Sequence, residues 1–139
     1  MIAYFDASAF LKLVIAEPGT TQAMETWQAA HRKLSSLLLY AEARAGIARA
    51  FRMKRIGARQ LGIANVEVDA YCAEAVLLEI TESLTRRAGD LAQQHGLRAY
   101  DAVHLASVDA VADEETLLVA ADGALVRAAR LHGIATAAL

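Results

Sequence analysis

Short apolar runs alternate with helical patterns along the whole chain of 139 residues. Apolar runs of this length, bounded by turn residues, are typical of strands that are buried on both faces. Helices that connect such strands cover both faces of a parallel sheet. The alternation therefore predicts a three-layer α/β/α domain, Rossmann-like in outline. Its mostly parallel sheet has four or five strands.

The pattern also predicts the bounds of the individual elements. The predicted strands span residues 2–6, 32–36, 76–80, 116–121 and 134–136. The predicted helices span residues 7–16, 20–30, 36–53, 58–71, 82–95, 100–110 and 123–132. Ser36 is predicted to cap the third helix, and Gly96 to end the fifth in a left-handed conformation. No repeat, linker or low-complexity segment divides the chain, which predicts a single domain over residues 1–139.

The composition is that of a globular protein, with 56% apolar and 22% charged residues. No apolar stretch approaches the roughly 18 residues that a membrane span requires. The start does not resemble a signal peptide, because Asp6 falls early and no basic residue precedes the apolar run. A single cysteine, Cys72, excludes an internal disulfide and fits a reducing compartment. We therefore expect a cytoplasmic protein that does not associate with membranes.

Four of the sixteen acidic residues lie in apolar surroundings rather than in polar turns. Asp6 ends the first predicted strand and Asp122 follows the fourth, while Glu42 and Asp101 lie in the early turns of apolar helices. Ligand sites of open parallel sheets form beyond the carboxyl ends of the strands. The strand ends and the first helical turns would bring all four side chains to that edge.

Carboxylates that converge without a counter-charge repel one another, which makes them harder to ionise. Arg49 and Arg98 could approach them, but a hard divalent cation is the simpler partner for oxygen ligands. Taken singly, each acid could instead be a cap or turn residue. That alternative suits Asp6 and Asp122, which each precede a helix, and suits Glu42 poorly. Together the four acids favour a site for Mg²⁺ or Mn²⁺.

Positive charge is concentrated in one segment, although the net charge of the chain is −2. No acid occurs between Glu42 and Glu67, and this interval holds six of the fourteen basic residues. They are Arg44, Arg49, Arg52, Lys54, Arg55 and Arg59. Such a cluster suggests a surface for a polyanion. A solvated helix face with a basic carboxyl end would give the same pattern, and charge alone leaves both interpretations open.

Four groups of residues match a known family in their order and spacing. They are Tyr4-Phe5-Asp6-Ala7-Ser8-Ala9, then Ser36 with Glu42 and Arg49, then Leu97-Arg98-Ala99-Tyr100-Asp101-Ala102-Val103-His104-Leu105-Ala106, and finally Ala121-Asp122-Gly123-Ala124-Leu125 with Ala128, Ala129 and Gly133. With these residues the chain resembles the PIN-domain ribonucleases, specifically the VapC-type toxins of bacterial toxin–antitoxin pairs. Each motif is weak alone, but the ordered set spans the whole chain.

The resemblance implies a PIN-like fold with strand 2–6 at the centre of the sheet and one PIN domain over residues 1–139. It also implies metal-dependent endoribonuclease activity. The family's four acidic positions fall on Asp6, Glu42, Asp101 and Asp122, which would bind one or two Mg²⁺ or Mn²⁺ ions and form the catalytic site. The basic helix would hold the RNA backbone. The residues expected to do so are Arg44, Arg49, Arg52, Lys54 and Arg55.

Two details of the match concern polar residues near these acids. Ser8 falls on a hydroxyl position that supports the first acid in the family. A second hydroxyl, which the family often has two residues before the last acid, is replaced here by Ala120. Ser8 is therefore the expected polar auxiliary, and Asp122 falls on the least constant of the family's ligand positions.

Two further residues of the third motif are interpreted as structural. His104 follows Asp101 by three residues on the same helix, and the pattern favours a packed or capping histidine over a partner of the site. Tyr100 is likewise predicted to lie in the core rather than to form a platform for a base.

The resemblance also implies partners. They are an RNA substrate, a VapB-type antitoxin that wraps the toxin and blocks the acidic site with a basic residue, and a second copy in a homodimer. The apolar helices around residues 20–31 and 37–53 could supply a surface for these protein contacts, and the sequence leaves open whether their apolar residues form an interface or the core.

Other classes of protein place an acid after a first strand. A PIN-like RNA-processing nuclease without an antitoxin stays open as an alternative, as does a haloacid-dehalogenase-like phosphatase. That phosphatase requires a second acid where this chain has Ser8, and a response-regulator receiver requires an Asp near the predicted strand 76–80, which is followed by Thr81. The presence of all four acids argues against a catalytically silent PIN-like module.

Overall fold

The computed structural model describes all 139 residues. Its strands are β1 (Ile2–Phe5), β2 (Arg32–Ser36), β3 (Val76–Leu78), β4 (Thr116–Ala120) and β5 (Ala135–Ala138). They form one sheet in the order β3-β2-β1-β4-β5, and every neighbouring pair is parallel. The predicted parallel sheet, with the first strand at its centre, is confirmed.

Seven helices connect and cover the strands. They are α1 (Ala7–Val14), α2 (Thr20–Ala29), α3 (Leu39–Arg52), α4 (Ala58–Glu74), α5 (Glu82–His95), α6 (Ala99–Val111) and α7 (Gly123–Leu131). The first four pack against one face of the sheet and the last three against the other, with a separate apolar core in each layer. The three-layer α/β/α prediction is therefore correct. None of these helices combines the length and apolar character that a membrane crossing needs.

The central strand β1 contributes to both cores because successive side chains of a strand point to opposite faces. Ala3 and Phe5 lie in the core beneath α1 to α4, and Tyr4 lies in the core beneath α5 to α7. All three side chains are fully buried. The strand is paired on both edges, with β2 and with β4, so its carboxyl end is held from both sides.

Two helix bounds differ from the sequence prediction for identifiable reasons. The Ser36 hydroxyl accepts a hydrogen bond from the Leu38 N–H at 3.1 Å and closes a turn, so α3 begins at Leu39 and Ser36 is not its cap. At the other bound, α4 continues to Glu74, whose carboxylate accepts from Trp27 Nε1 at 3.1 Å. This contact from α2 stabilises the last turn of α4 beyond its predicted end.

The end of β3 and the start of β5 also differ from the prediction for identifiable reasons. The Leu78 carbonyl accepts from the Leu37 N–H, where the chain leaves β2, so β3 has no partner beyond Leu78 and ends two residues early. The Ile134 N–H donates to the Ala129 carbonyl of α7, so β5 begins at Ala135 rather than at 134. Gly96 ends α5 with φ 65°, as predicted.

Candidate metal and active site

The carboxyl edge of the sheet brings two of the acids together at the ends of neighbouring strands. Asp6 follows β1 and is the N-cap of α1, with Oδ1 accepting from the Ala9 N–H at 2.9 Å. Asp122 follows β4 and is the N-cap of α7, with Oδ1 accepting from the Leu125 N–H at 2.9 Å. Asp6 and Asp122 can therefore cap a helix and also belong to a site, since each carboxylate has a second oxygen, Oδ2, beside the sheet edge.

The other two acids come from helices that begin at the same edge. Glu42 lies in the first turn of α3 and Asp101 in the first turn of α6. With Asp6 and Asp122 they line one cleft of about 650 Å³, together with Ser8. The four acids that the sequence singled out are thus brought to a single cleft.

Ser8 ties Asp6 to the neighbouring strand end. Its Oγ lies 2.7 Å from each carboxylate oxygen of Asp6 and donates its one proton there. The same oxygen accepts from the Ala121 N–H at 2.9 Å. The hydroxyl therefore fixes the orientation of Asp6 relative to the end of β4, which is the supporting position that the sequence indicated.

Asp6 is the most deeply buried of the four acids, at 2% exposure. Burial raises the pKa of Asp6 to about 6, and hydrogen bonds from Ser8 and the Ala9 N–H limit the rise. No lysine or arginine forms a salt bridge with it. A cation bound in the cleft would offset the cost of ionising this carboxylate.

Arg98 is the basic residue that neutralises the outer two acids. Its Nε donates to Asp101 Oδ2 at 3.0 Å and one terminal nitrogen donates to Asp122 Oδ2 at 3.3 Å. These contacts raise the pKa of Arg98, chiefly through Asp101. The side chain is 78% exposed, so it spans the two carboxylates from the solvent side of the cleft. Arg49, the other candidate counter-charge, forms no ion pair with any of the four acids.

Glu42 is held by a histidine from another helix. Its Oε1 lies 2.6 Å from His104 Nε2, and His104 Nδ1 lies 2.9 Å from the Tyr4 hydroxyl. His104 is buried at 1% exposure, as its structural interpretation predicts, but it also bonds directly to a site residue. That contact joins residues 62 apart in the sequence, and no local spacing signals it.

Tyr100 is not in the core, and the prediction that placed it there is wrong. Its side chain is 62% exposed and lines the cleft next to Asp101. The helix α6 begins at Ala99, so Tyr100 lies in its first turn, beside the cleft. An exposed aromatic ring beside the carboxylates is a ready surface for stacking a base.

The basic residues predicted to hold RNA are exposed on α3 and the turn after it. They are Arg44, Arg49, Arg52, Lys54 and Arg55. Arg49 follows Glu42 by two helical turns, so the two share one face of α3 about 10 Å apart along its axis. Arg44 lies on a different face, where its guanidinium donates to the Tyr40 hydroxyl at 2.8 Å. The cluster thus extends away from the cleft along α3.

The donor set fits a hard divalent cation. It consists of carboxylate oxygens and one hydroxyl, with no thiol, and such ligands suit Mg²⁺ and Mn²⁺. No three of these side chains converge closely enough here to hold one ion between them. In this arrangement Glu42 contacts His104, while Asp101 and Asp122 contact Arg98. Binding an ion would require the release of Arg98 from the two aspartates.

Comparison with known proteins places the chain in a family. Residues 3–131 match the PIN domain. The chain belongs to the PIN-domain family. Ribonuclease VapC45 of Mycobacterium tuberculosis is 38% identical over 132 residues, which cover 95% of this chain and 92% of that protein. This relative is a VapC ribonuclease, in agreement with the resemblance of the sequence motifs.

Solved structures share the fold. The crystal structure of VapC20 from Mycobacterium tuberculosis, a Sarcin-Ricin loop cleaving toxin, has a TM-score of 0.72 at 19% identity, covering 91% of this chain and 94% of that one. A toxin–antitoxin complex from Klebsiella pneumoniae has a TM-score of 0.63 at 18% identity, covering 86% of each chain. These similarities confirm the PIN-like fold.

The buried carboxylate makes a prediction about stability and pH. Because the pKa of Asp6 rises from 3.8 to about 6 on folding, the folded state keeps a proton there that the unfolded chain has lost. The free energy of unfolding should therefore fall as the pH rises through this interval, by about 2 kcal/mol from this group. Asp6→Asn removes the effect. The free energy of unfolding of the wild type minus that of the variant should therefore decrease by about 2 kcal/mol between about pH 4 and pH 7.

Urea unfolding in EDTA measures the difference. Asp90→Asn is the matched control, since Asp90 is exposed on α5 and forms no salt bridge. The difference in free energy of unfolding between the wild type and Asp90→Asn should not show this dependence on pH. Parallel stability curves for the wild type and Asp6→Asn would contradict the prediction.

Arg98 makes a prediction about metal binding. If its guanidinium must leave Asp101 and Asp122 before they accept an ion, Arg98→Gln should tighten Mn²⁺ binding. We expect about a threefold to fivefold effect for the loss of two ion pairs made by an exposed guanidinium. Isothermal titration calorimetry measures the affinity. Arg86→Gln is the control, because it removes the same charge from an exposed pair with Glu82 on α5. Equal or weaker binding by Arg98→Gln would show that the guanidinium does not compete.

Proposed function

We propose that this protein is an endoribonuclease that hydrolyses RNA phosphodiester bonds with Mg²⁺ or Mn²⁺ and acts as the toxin of a toxin–antitoxin pair. The observation that carries the proposal is the conjunction of two facts. The chain aligns over nearly its whole length with a VapC ribonuclease, and all four acids of the family pattern line one cleft. One or two ions, the antitoxin, the homodimer and a cytoplasmic location are parts of the same proposal.

The chain's own residues have distinct roles in this reaction. Asp6 is the fixed ligand, since β1, the cap of α1 and Ser8 hold it. Glu42 contributes the oxygen that His104 leaves free, and Asp101 and Asp122 complete the site when Arg98 departs. A bound divalent ion supplies positive charge against the phosphate oxygens and activates the attacking water.

Arg98 has a second use once it has left the aspartates. Its planar guanidinium stands at the mouth of the cleft and matches the geometry of a phosphate group. An RNA phosphate would pair with Arg98, and a metal ion would bind the two aspartates that Arg98 now contacts. The phosphate and the ion could therefore enter the cleft together. Tyr100 offers its exposed ring to a base next to that phosphate.

The basic face of α3 would hold the RNA backbone beyond the cleft. Arg49 shares the face of Glu42, and Arg52, Lys54 and Arg55 continue the positive surface at the end of α3. Contacts of this kind are made to phosphates and carry little base specificity. The RNA would therefore extend from the acidic cleft along α3.

The protein partners are proposed from the fold and its neighbours. One structural neighbour is a toxin–antitoxin complex, and a VapB-type antitoxin would cover the acidic cleft with a basic side chain. Apolar side chains for this contact or for a homodimer are exposed on α2, α3 and the turns beside them. They are Met24, Leu37, Tyr40, Phe51 and Met53.

Cleavage of RNA by the purified protein tests the proposal. Wild type should cut RNA with Mg²⁺ or Mn²⁺, and Asp6→Asn should lose at least about 100-fold in rate, because it loses a ligand worth several kcal/mol in the transition state. Asp90→Asn, which changes an exposed acid, should retain activity. A cut by Asp6→Asn at the wild-type rate would contradict the proposed site. Neither protein should hydrolyse p-nitrophenyl phosphate, which a phosphatase would accept.

Expression in cells separates the toxin from other nucleases. Wild type expressed without a partner should inhibit growth, and Asp6→Asn should not. A protein that cleaves RNA in vitro but is tolerated at high level would be an RNA-processing nuclease without an antitoxin.

The basic face makes a prediction about salt. Arg49→Gln with Arg52→Gln removes two phosphate contacts, so the slope of log affinity against log salt should become shallower by about 1.4 for single-stranded RNA. Fluorescence anisotropy of a labelled RNA measures this slope in the presence of Ca²⁺. Arg86→Gln with Arg87→Gln removes the same charge from α5 on the opposite layer and should leave the slope unchanged. An unchanged slope for the α3 variant would show that the RNA binds to another surface.

A further inference from the structure

A chain of hydrogen bonds links the central strand to Glu42 through the core beneath α5 to α7. The Tyr4 hydroxyl of β1 lies 2.9 Å from His104 Nδ1, and His104 Nε2 of α6 lies 2.6 Å from Glu42 Oε1 on α3. Tyr4 is fully buried and His104 is 1% exposed. The two rings also make an edge contact, with centroids 5.8 Å apart and planes at 80°. Three separate elements thus meet in one polar contact.

The chemistry of the three groups gives the chain a direction. An ionised carboxylate only accepts, so Nε2 of His104 must carry the proton that points to Glu42. When the ring is neutral, Nδ1 is then an acceptor and the Tyr4 O–H is its donor. Tyr4 therefore selects the tautomer that donates to Glu42.

One oxygen of Glu42 is left free by this arrangement. Oε1 is held by His104, whereas Oε2 makes no hydrogen bond within the protein and Glu42 lines the cleft. Burying two polar rings is less favourable than burying apolar ones unless each polar atom finds a partner. A leucine and a phenylalanine would fill the same space without that requirement. The polar pair thus does something that packing alone does not need.

We propose that the buried pair of Tyr4 and His104 is a positioning device that fixes Glu42 by one oxygen and presents the other to the metal in the cleft. The inference rests on the proposed function, because it assigns Glu42 as a ligand. Ligating carboxylates and histidines are commonly oriented by such outer hydrogen bonds, whose loss lowers metal affinity by about 10- to 100-fold. Neither ring lines the cleft, so both act through Glu42.

The affinity for Mn²⁺, measured by calorimetry, separates positioning from a structural role. His104→Leu keeps an apolar side chain in the site and removes the donor, so it should weaken Mn²⁺ binding by about 10-fold or more. His104→Gln keeps an N–H near Glu42 and should recover part of that loss. Tyr4→Phe keeps the ring in the core and releases the tautomer, so it should give a smaller loss of the same sign.

Thermal unfolding in EDTA is measured on the same proteins, so that lost folding is not mistaken for lost positioning. Tyr71→Phe is the matched control, because it removes a phenol from the opposite layer, where the ring packs against Trp27 at 5.3 Å. It should leave the affinity for Mn²⁺ unchanged. Wild-type affinity in a folded Tyr4→Phe and His104→Leu would overturn the inference, whatever their unfolding temperatures.

The outcomes also distinguish this inference from the proposed function. The wild type could cleave RNA and bind Mn²⁺ while Tyr4→Phe and His104→Leu bind Mn²⁺ with the wild-type affinity. In that case only the positioning role would be contradicted. If the wild type neither binds Mn²⁺ nor cleaves RNA, the proposed function fails and the assignment of Glu42 as a ligand fails with it. If His104→Leu does not fold, Tyr4→Phe decides the question, since it changes one atom.

Discussion

The buried carboxylate of Asp6 is the constraint around which the rest of this site is organised. It lies at the end of β1, the central strand of the sheet, which is paired on both sides and packed on both faces. A carboxylate with 2% exposure needs hydrogen-bond donors or a cation from its surroundings. The Ala9 N–H and the Ser8 hydroxyl supply part of this stabilisation. The same contacts that cap α1 therefore prepare an anion that a cation would stabilise further. Capping and ligation are two uses of the two oxygens of one side chain.

The other three acids are each satisfied by a basic or polar partner in the structure. Glu42 is held by His104, and Arg98 spans Asp101 and Asp122. These two arrangements differ in how easily they can be exchanged, because His104 is buried and Arg98 is 78% exposed. An exposed ion pair is weak and is readily replaced by a stronger competitor. In the inner half of the cleft, Asp6 and Glu42 keep their hydrogen-bond partners. In the outer half, Asp101 and Asp122 can exchange Arg98 for another cation.

Much of this architecture could be predicted from the sequence, because it depends on local signals. Apolar runs located four of the five strands, whereas the segment 32–36 is mostly polar and gave only a weak signal. A carboxylate at the end of a parallel strand could only lie at one edge of the sheet. The contact between His104 and Glu42 could not be predicted, since it depends on how α3 and α6 lie across β1. Tyr100 was misplaced for a related reason, as an aromatic residue in an apolar motif does not show whether its side chain lies in the core or beside the cleft. The turn at Ser36 also looked like a helix cap, because the same side-chain hydrogen bond serves both.

The alternation of β1 joins the fold to the chemistry. Phe5 and Tyr4 are neighbours in sequence but lie in opposite cores, and only Tyr4 faces the layer that contains His104. A slip of one residue would exchange the two faces, placing the phenol in the wrong layer and moving Asp6 away from Ser8 and the start of α1. The register of the strand is therefore set twice, once by apolar packing on its two faces and once by the polar contacts at its end. Both requirements select the same register. The central strand therefore positions Asp6 at its end and, two residues earlier, Tyr4, which supports Glu42 through His104.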